Sequence, residues 1–200
     1  MTQSTQTVAS KSDYFVSATW LNENLGTIRN DGAVLVETGA IVENGAFRTS
    51  LYEYAGEGHI PGAVFVDMFF QFSDSSSSLS FTKPSTLQFQ DAAAQLGITP
   101  ETEAIIYDRP QGEWASRLVW LFAAWGHKRV RVLDGGWQKW KSLGGAIEQG
   151  INKPTPKPRG TEYSQYDRSY FASTADVRSA IESGGSTRLI CGLPAACVSG

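Results

Sequence analysis

The residues that could do chemistry begin with a strand-end acid. In AIIYDRPQGEWASRLVW, residues 104–120, an apolar run stops at Asp108, a short loop with Pro110 and Gly112 follows, and a helical pattern opens at Trp114. A loop from the carboxyl end of a strand to the amino end of a helix is where α/β proteins often hold an anion or present a nucleophile, because unpaired backbone N–H groups converge there. An aspartate at that point can cap the helix, complement its dipole, or pair with Arg109 or Arg117. It can equally well be an ordinary turn.

The other chemistry-bearing residues are few. His59 lies in the turn chemistry that precedes a strand, and His127 follows a helix end, where a charged imidazole is favourable. Asp134, with Gly135 and Gly136, makes a tight strand-to-helix turn in which capping is its expected role. Arg117 sits on an almost wholly apolar helix. A buried unpaired charge costs several kcal/mol, so it should find a carboxylate, with Asp108 and Asp134 as the candidates. The two cysteines, Cys191 and Cys197, have no histidine near them and cannot close a zinc site. Cys191, in or just after an apolar run, reads as a buried and inert thiol, and Cys197 as exposed.

These residues need elements to position them, and the pattern alternates. Residues 17–26 read as a short helix, 33–39 as a buried strand, and 58–68 as a turn leading into a strand. A Ser-rich loop covers 72–85. A capped helix follows over 85–97, a strand over 104–108 and a buried helix over 112–126. The last pair is a strand over 129–134 and an amphipathic helix over 137–144. Strands separated by helices imply βαβ units and a mainly parallel sheet, covered on both faces.

Four regions follow from this reading. Residues 1–13 form a polar, disordered tail, and residues 14–150 hold the α/β domain. Residues 151–172 contain KPTPKPRG and should be an extended, semi-rigid linker. Residues 173–200 open a second unit, with a capped helix over 173–185 and a strand over 187–191. Its 28 residues fall below the ~40 that usually fold unaided. Limited proteolysis should therefore trim the chain near the linker and leave a core ending around Gly150.

Composition narrows the class. The chain has 200 residues, 41 % hydrophobic and 18 % charged, with a net charge of −3. That describes a globular protein, with no support for a nucleic-acid or membrane-surface partner. No apolar run approaches the ~18 residues of a membrane span, and the amino terminus has no apolar signal segment. Sparse cysteine fits a reducing, cytoplasmic setting.

GHIPGAVFVD at 58–67, YD at 107–108 leading into the helix with Arg117, and GHKRVRVLDGGWQKW at 126–140 occur in this order and spacing. Together they resemble the tandem rhodanese-type sulfurtransferases, which act on thiosulfate or 3-mercaptopyruvate. The resemblance runs from about residue 17 to the linker. It implies a rhodanese-like fold and transfer of a sulfane sulfur from a small donor to cyanide or another thiophilic acceptor. No cofactor is implied, since a persulfide carries the sulfur. It also implies that residues from 173 onward open a second rhodanese domain. In the family the second domain's loop bears the catalytic cysteine, and the first commonly has an aspartate there. Asp108 matches that aspartate. His59 and Arg109 become candidates to face a substrate cleft, against the alternative that His59 is bonded to loop backbone.

Chemistry agrees with the resemblance. Sulfane transfer needs a thiolate stabilised by backbone N–H groups at a helix terminus, and a carboxylate cannot take that part. The family pattern is lost at Cys191, where CGLPAACVSG stands, so a frameshifted or truncated product without the catalytic loop is expected, inactive by itself. The rival expectation is a non-enzymatic rhodanese module for binding or regulation. Donor preference, physiological acceptor and oligomeric state have no signature here.

Overall fold

The computed structural model describes residues 14–110 and 112–192. Its centre is a five-stranded, wholly parallel sheet of β1 (Phe15–Ser17), β2 (Val34–Thr38), β5 (Val64–Val66), β6 (Ala104–Tyr107) and β7 (Val130–Asp134), in the order β1-β7-β6-β2-β5. From β2 the chain steps one way to β5 and then back across to β6 and β7. The reversal lies between β2 and β6, and open α/β sheets keep their working crevice at such a point. β6 is buried at every residue, and β2 from Leu35 to Thr38. That explains their continuous apolar runs: both faces of the sheet are covered.

The helices are α1 (Ala18–Asn30), α2 (Leu51–Gly56), α3 (Thr86–Gln95), α4 (Glu113–Ala124) and α5 (Gly136–Ser142). Ser17 and Ser85 cap α1 and α3 by accepting from the N–H groups of Trp20 and Gln88. Over one face of the sheet, Leu21, Leu35, Ile105, Tyr107, Trp137 and Trp140 belong to a single buried cluster. Elsewhere in the core Phe89 stacks on Trp125 at 4.3 Å and meets Phe122 edge-on at 5.1 Å.

Each helix and strand expected within residues 14–150 has a counterpart, with ends shifted by a few residues, but the expected strand within 58–68 shrinks to Val64–Val66. Three elements were not anticipated: β1, α2, and the antiparallel hairpin of β3 (Ala40–Glu43) and β4 (Ala46–Thr49). The hairpin turns on Asn44 and Gly45, at φ 52° and 79°. Positive φ at both positions is the type I′ two-residue turn, and Asn-Gly is a dipeptide that tolerates it.

Residues 151–160 carry no helix or strand, and they run back along the first unit, which closes at Tyr166. The second unit, from Asp167, has a short 3₁₀ turn (Arg168–Tyr170) and α6 (Thr174–Ser183). Ser173 and Asp176 form a reciprocal capping box at the start of α6. Residues 187–191 are not a strand; Leu189 and Ile190 are exposed. A lone strand gains little without neighbours to take its backbone hydrogen bonds, and none is present among the described residues.

Candidate functional site

The loop after β6 is built around the Asp108 side chain. α4 starts at Gly112, which has no side chain to satisfy the first N–H groups of the helix. Asp108 supplies the acceptor: Oδ1 takes the Gly112 N–H at 2.9 Å, and Oδ2 takes those of Trp114 at 2.9 Å and Ala115 at 3.0 Å. The carboxyl is 1 % exposed. Burial pushes its pKa above the ordinary aspartate value, while the three N–H groups pull it down. Its main-chain carbonyl is used too, accepting from the Trp137 N–H at 3.0 Å in the first turn of α5. The neighbouring Gly136 is held so close that a Cβ there would stand 2.6 Å from this carbonyl. The loop is thus a ring of N–H groups already filled by the chain's own carboxylate.

Arg109 points into the fold rather than toward a cleft. Only 8 % exposed, it donates through Nε to Glu37 Oε1 at 2.6 Å and through Nη2 to the Gly58 carbonyl at 2.5 Å. Nη1 reaches Glu57 at 3.1 Å, and the guanidinium lies 5.0 Å from the Trp137 ring centre. Glu37 is fully buried next to the carboxyl end of β2. Desolvation pushes its carboxyl up from 4.5 to about 7, against the pull of Arg109 and of the Tyr107 hydroxyl. Among the described residues its Oε2 has no hydrogen-bond partner. Glu37 did not stand out in the sequence, and Tyr107 only as part of the YD motif, though an acid in the apolar run VLVET was a usable signal.

His59 is likewise absorbed into the fold. It is 0 % exposed and stacked on Tyr54, with ring centres 3.9 Å apart. Its Nδ1 lies 3.1 Å from the Tyr54 carbonyl and its Nε2 3.1 Å from Asn152 Nδ2. The Tyr54 carbonyl can only accept, so Nδ1 carries a proton, while Nε2 is shared between Asn152 and Glu148, 3.6 Å away. The Glu148 carboxylate accepts from the Gly62 N–H at 2.6 Å and from Asn152 at 2.9 Å. The turn GHIPGA is therefore clamped from three sides: by Arg109 at Gly58, by the Tyr107 hydroxyl at the Ile60 N–H (3.0 Å), and by Glu148 at Gly62.

Three expectations are corrected. Arg117 is half-buried and meets no carboxylate: Nη2 donates to the Phe81 carbonyl, and the guanidinium lies about a ring's distance from Phe81 (6.0 Å) and Trp120 (5.9 Å). Only partly desolvated, it rests on a carbonyl and two ring faces, and its Nε has no hydrogen-bond partner among the described residues. Asp134 is exposed and caps nothing; α5 starts on Gly135 with no side-chain cap, and the Asp108 carbonyl serves the Trp137 N–H instead. Cys191 is exposed, because the strand that would bury it is not formed. Cys197 lies outside the described residues. His127 is buried beneath Tyr163, and desolvation lowers its pKa. Among the described residues, no three His, Cys, Asp or Glu side chains gather to hold a metal ion.

Comparison with known proteins matches this architecture. Residues 18–143 match the family profile described as Rhodanese-like domain. The chain is 37 % identical to rat 3-mercaptopyruvate sulfurtransferase over 124 residues, covering 60 % of this chain and 40 % of the relative. It is 32 % identical to mouse thiosulfate sulfurtransferase over 143 residues, covering 70 % and 47 %. The chain thus spans less than half the length of these relatives. Among solved structures it resembles SseA, a 3-mercaptopyruvate sulfotransferase from Escherichia coli, with TM-score 0.79 and 26 % identity, covering 92 % of this chain and 67 % of that one. With the profile match covering residues 18–143, more than half of its length, this chain belongs to the rhodanese-like domain family.

Proposed function

We propose that residues 14–166 are the non-nucleophilic half of a tandem rhodanese sulfurtransferase, one that moves a sulfane sulfur from thiosulfate or 3-mercaptopyruvate to cyanide or another thiophilic acceptor. Residues from 167 onward are, in this reading, the opening of the second, thiol-bearing domain, in line with the capped helix α6. The observation that carries the proposal is the Asp108 carboxylate seated among the N–H groups of Gly112, Trp114 and Ala115. A sulfur-carrying cysteine loop uses such N–H groups to stabilise a thiolate and the anion it attacks. Here they are already taken, and the carboxylate would repel an anionic donor. His59 and Arg109 then act on the fold rather than the substrate, and Asp108 is a structural acid. Donor and acceptor are small molecules, and two cysteines in the whole chain fit a reducing, cytoplasmic setting.

Incubation of residues 1–200 with either donor and cyanide tests this: thiocyanate should not rise above a cysteine-blocked control. Fusing residues 1–166 to the second half of a full-length relative should produce thiocyanate. Turnover by the unfused chain, or an inert but folded fusion, would contradict the reading.

A further inference from the structure

The Pro-rich segment after α5 is not a free tether. Asn152 bonds the Ala63 carbonyl at 3.0 Å, and the Lys157 N–H donates to the Ala94 carbonyl of α3 at 2.9 Å. The Thr155 carbonyl passes so close to Gly97 that a Cβ there would sit 2.4 Å from it. Arg159 meets Asp91 at 2.9 Å, with both side chains about half exposed, so that pair contributes little. The one deep anchor is Tyr163. Its ring is 5 % exposed and edge-on to Phe89 at 5.4 Å, and its hydroxyl lies 2.7 Å from Nδ1 of His127.

We propose that the Tyr163–His127 contact is a pH-sensitive clip, which holds residues 152–166 against the first unit when His127 is neutral and releases them when it is protonated. His127 is 3 % exposed, and Tyr163 forms part of its cover. Its Nε2 has no hydrogen-bond partner among the described residues, while the backbone of Thr102 and Arg129 acts on the ring. The consistent assignment is Nε2–H toward that backbone and Nδ1 accepting from the Tyr163 hydroxyl, a neutral ring. A proton on Nδ1 reverses that hydrogen bond, leaving the Tyr163 hydroxyl to accept, and puts a charge where water is excluded.

The charged groups that face the ring are Glu101 and Arg129, from the segments leading into β6 and β7, with Glu162 beside Tyr163; the Phe122 ring covers another side. Glu101 favours the imidazolium and Arg129 opposes it, but burial is the largest influence and lowers the pKa. A depressed histidine pKa in the clipped state means that docking is strongest above the free value and weakens as pH falls through the clipped one. Release frees residues 152–166 to lengthen the tether that leads to α6.

Hydrogen exchange on the full chain reads this directly. Protection of the Lys157 amide, corrected for intrinsic rates, is compared with that of Ile105 and Ile106 in β6 at about pH 7.5 and about pH 5.5. In the unmodified chain Lys157 protection should fall several-fold in acid while β6 protection holds. His127→Asn, which keeps an acceptor near Nδ1 but does not titrate, should abolish the pH dependence. Tyr163→Ala should leave Lys157 poorly protected at both pH values. No acid-dependent loss in the unmodified chain, the same loss in the Asn variant, or full protection in the Ala variant would overturn the clip; the β6 amides report whether each variant has folded.

Discussion

Two aspartates end neighbouring strands of one sheet, and their fates are opposite. Asp108 closes β6 and is 1 % exposed, with three N–H groups on its carboxylate. Asp134 closes β7, is exposed, and caps no helix. The difference lies in the loop that follows. After Asp108 the chain takes Arg109, Pro110 and Gln111 before Gly112, enough length to fold the first turn of α4 back over the carboxylate. After Asp134 it enters α5 within two glycines, leaving no turn to wrap around the side chain. Residue type and topological position are the same; loop length decides which acid is built into the fold. The same contrast explains why the β6 loop is a structural plug and not a vacant anion site.

The contrast can be sharpened by removing the support beneath the plugged loop. Arg109→Met strands Glu37 without its cation in a dry site, and unfolding by urea should show a loss of about 3 to 5 kcal/mol. A loss below about 1 kcal/mol would mean the pair is not buried in solution. Protonation of Glu37 is the second lever. Its folded pKa, about 7, exceeds the ordinary 4.5, so the folded state binds the extra proton between those values. Its contribution is therefore full below about pH 4.5 and falls as pH rises to about 7, by on the order of 3 kcal/mol. Glu37→Gln should flatten that part of the stability–pH curve; an unchanged curve would refute the shift. Arg117→Met should cost least, about 1 kcal/mol, because a carbonyl bond and two ring contacts are lost and no carboxylate is orphaned. A loss as large as that of Arg109→Met would restore the ion pair that the structure lacks.

Much of this architecture was legible because local signals and burial agreed. The runs AVLVETG and AIIYD gave β2 and β6, and Ser85 with Gly97 bracketed α3. The hairpin was missed although Asn44-Gly45 announced it, since β3 and β4 are short and half-exposed, without a clean apolar alternation. The site was harder. Arg109 meets Glu37 and Glu57, 72 and 52 residues away in sequence, only because β2 and β6 are neighbours in the sheet. Arg117 was assigned a carboxylate on charge alone, and nothing local marks the Phe81 carbonyl, 36 residues back, as its acceptor. Cys191 was expected to be buried because its run is apolar, but a run becomes a strand only when partners flank it.

Unfolding free energies of Asp108→Ala and Asp134→Ala, measured side by side, test the account most directly. Asp108→Ala leaves three N–H groups without their acceptor in a buried loop and should cost about 2 to 4 kcal/mol; Asp134→Ala should stay within about 0.5 kcal/mol of the unmodified chain. Equal losses for the two variants, or a stable Asp108→Ala, would contradict the claim that the carboxylate fills this rhodanese loop as part of the fold.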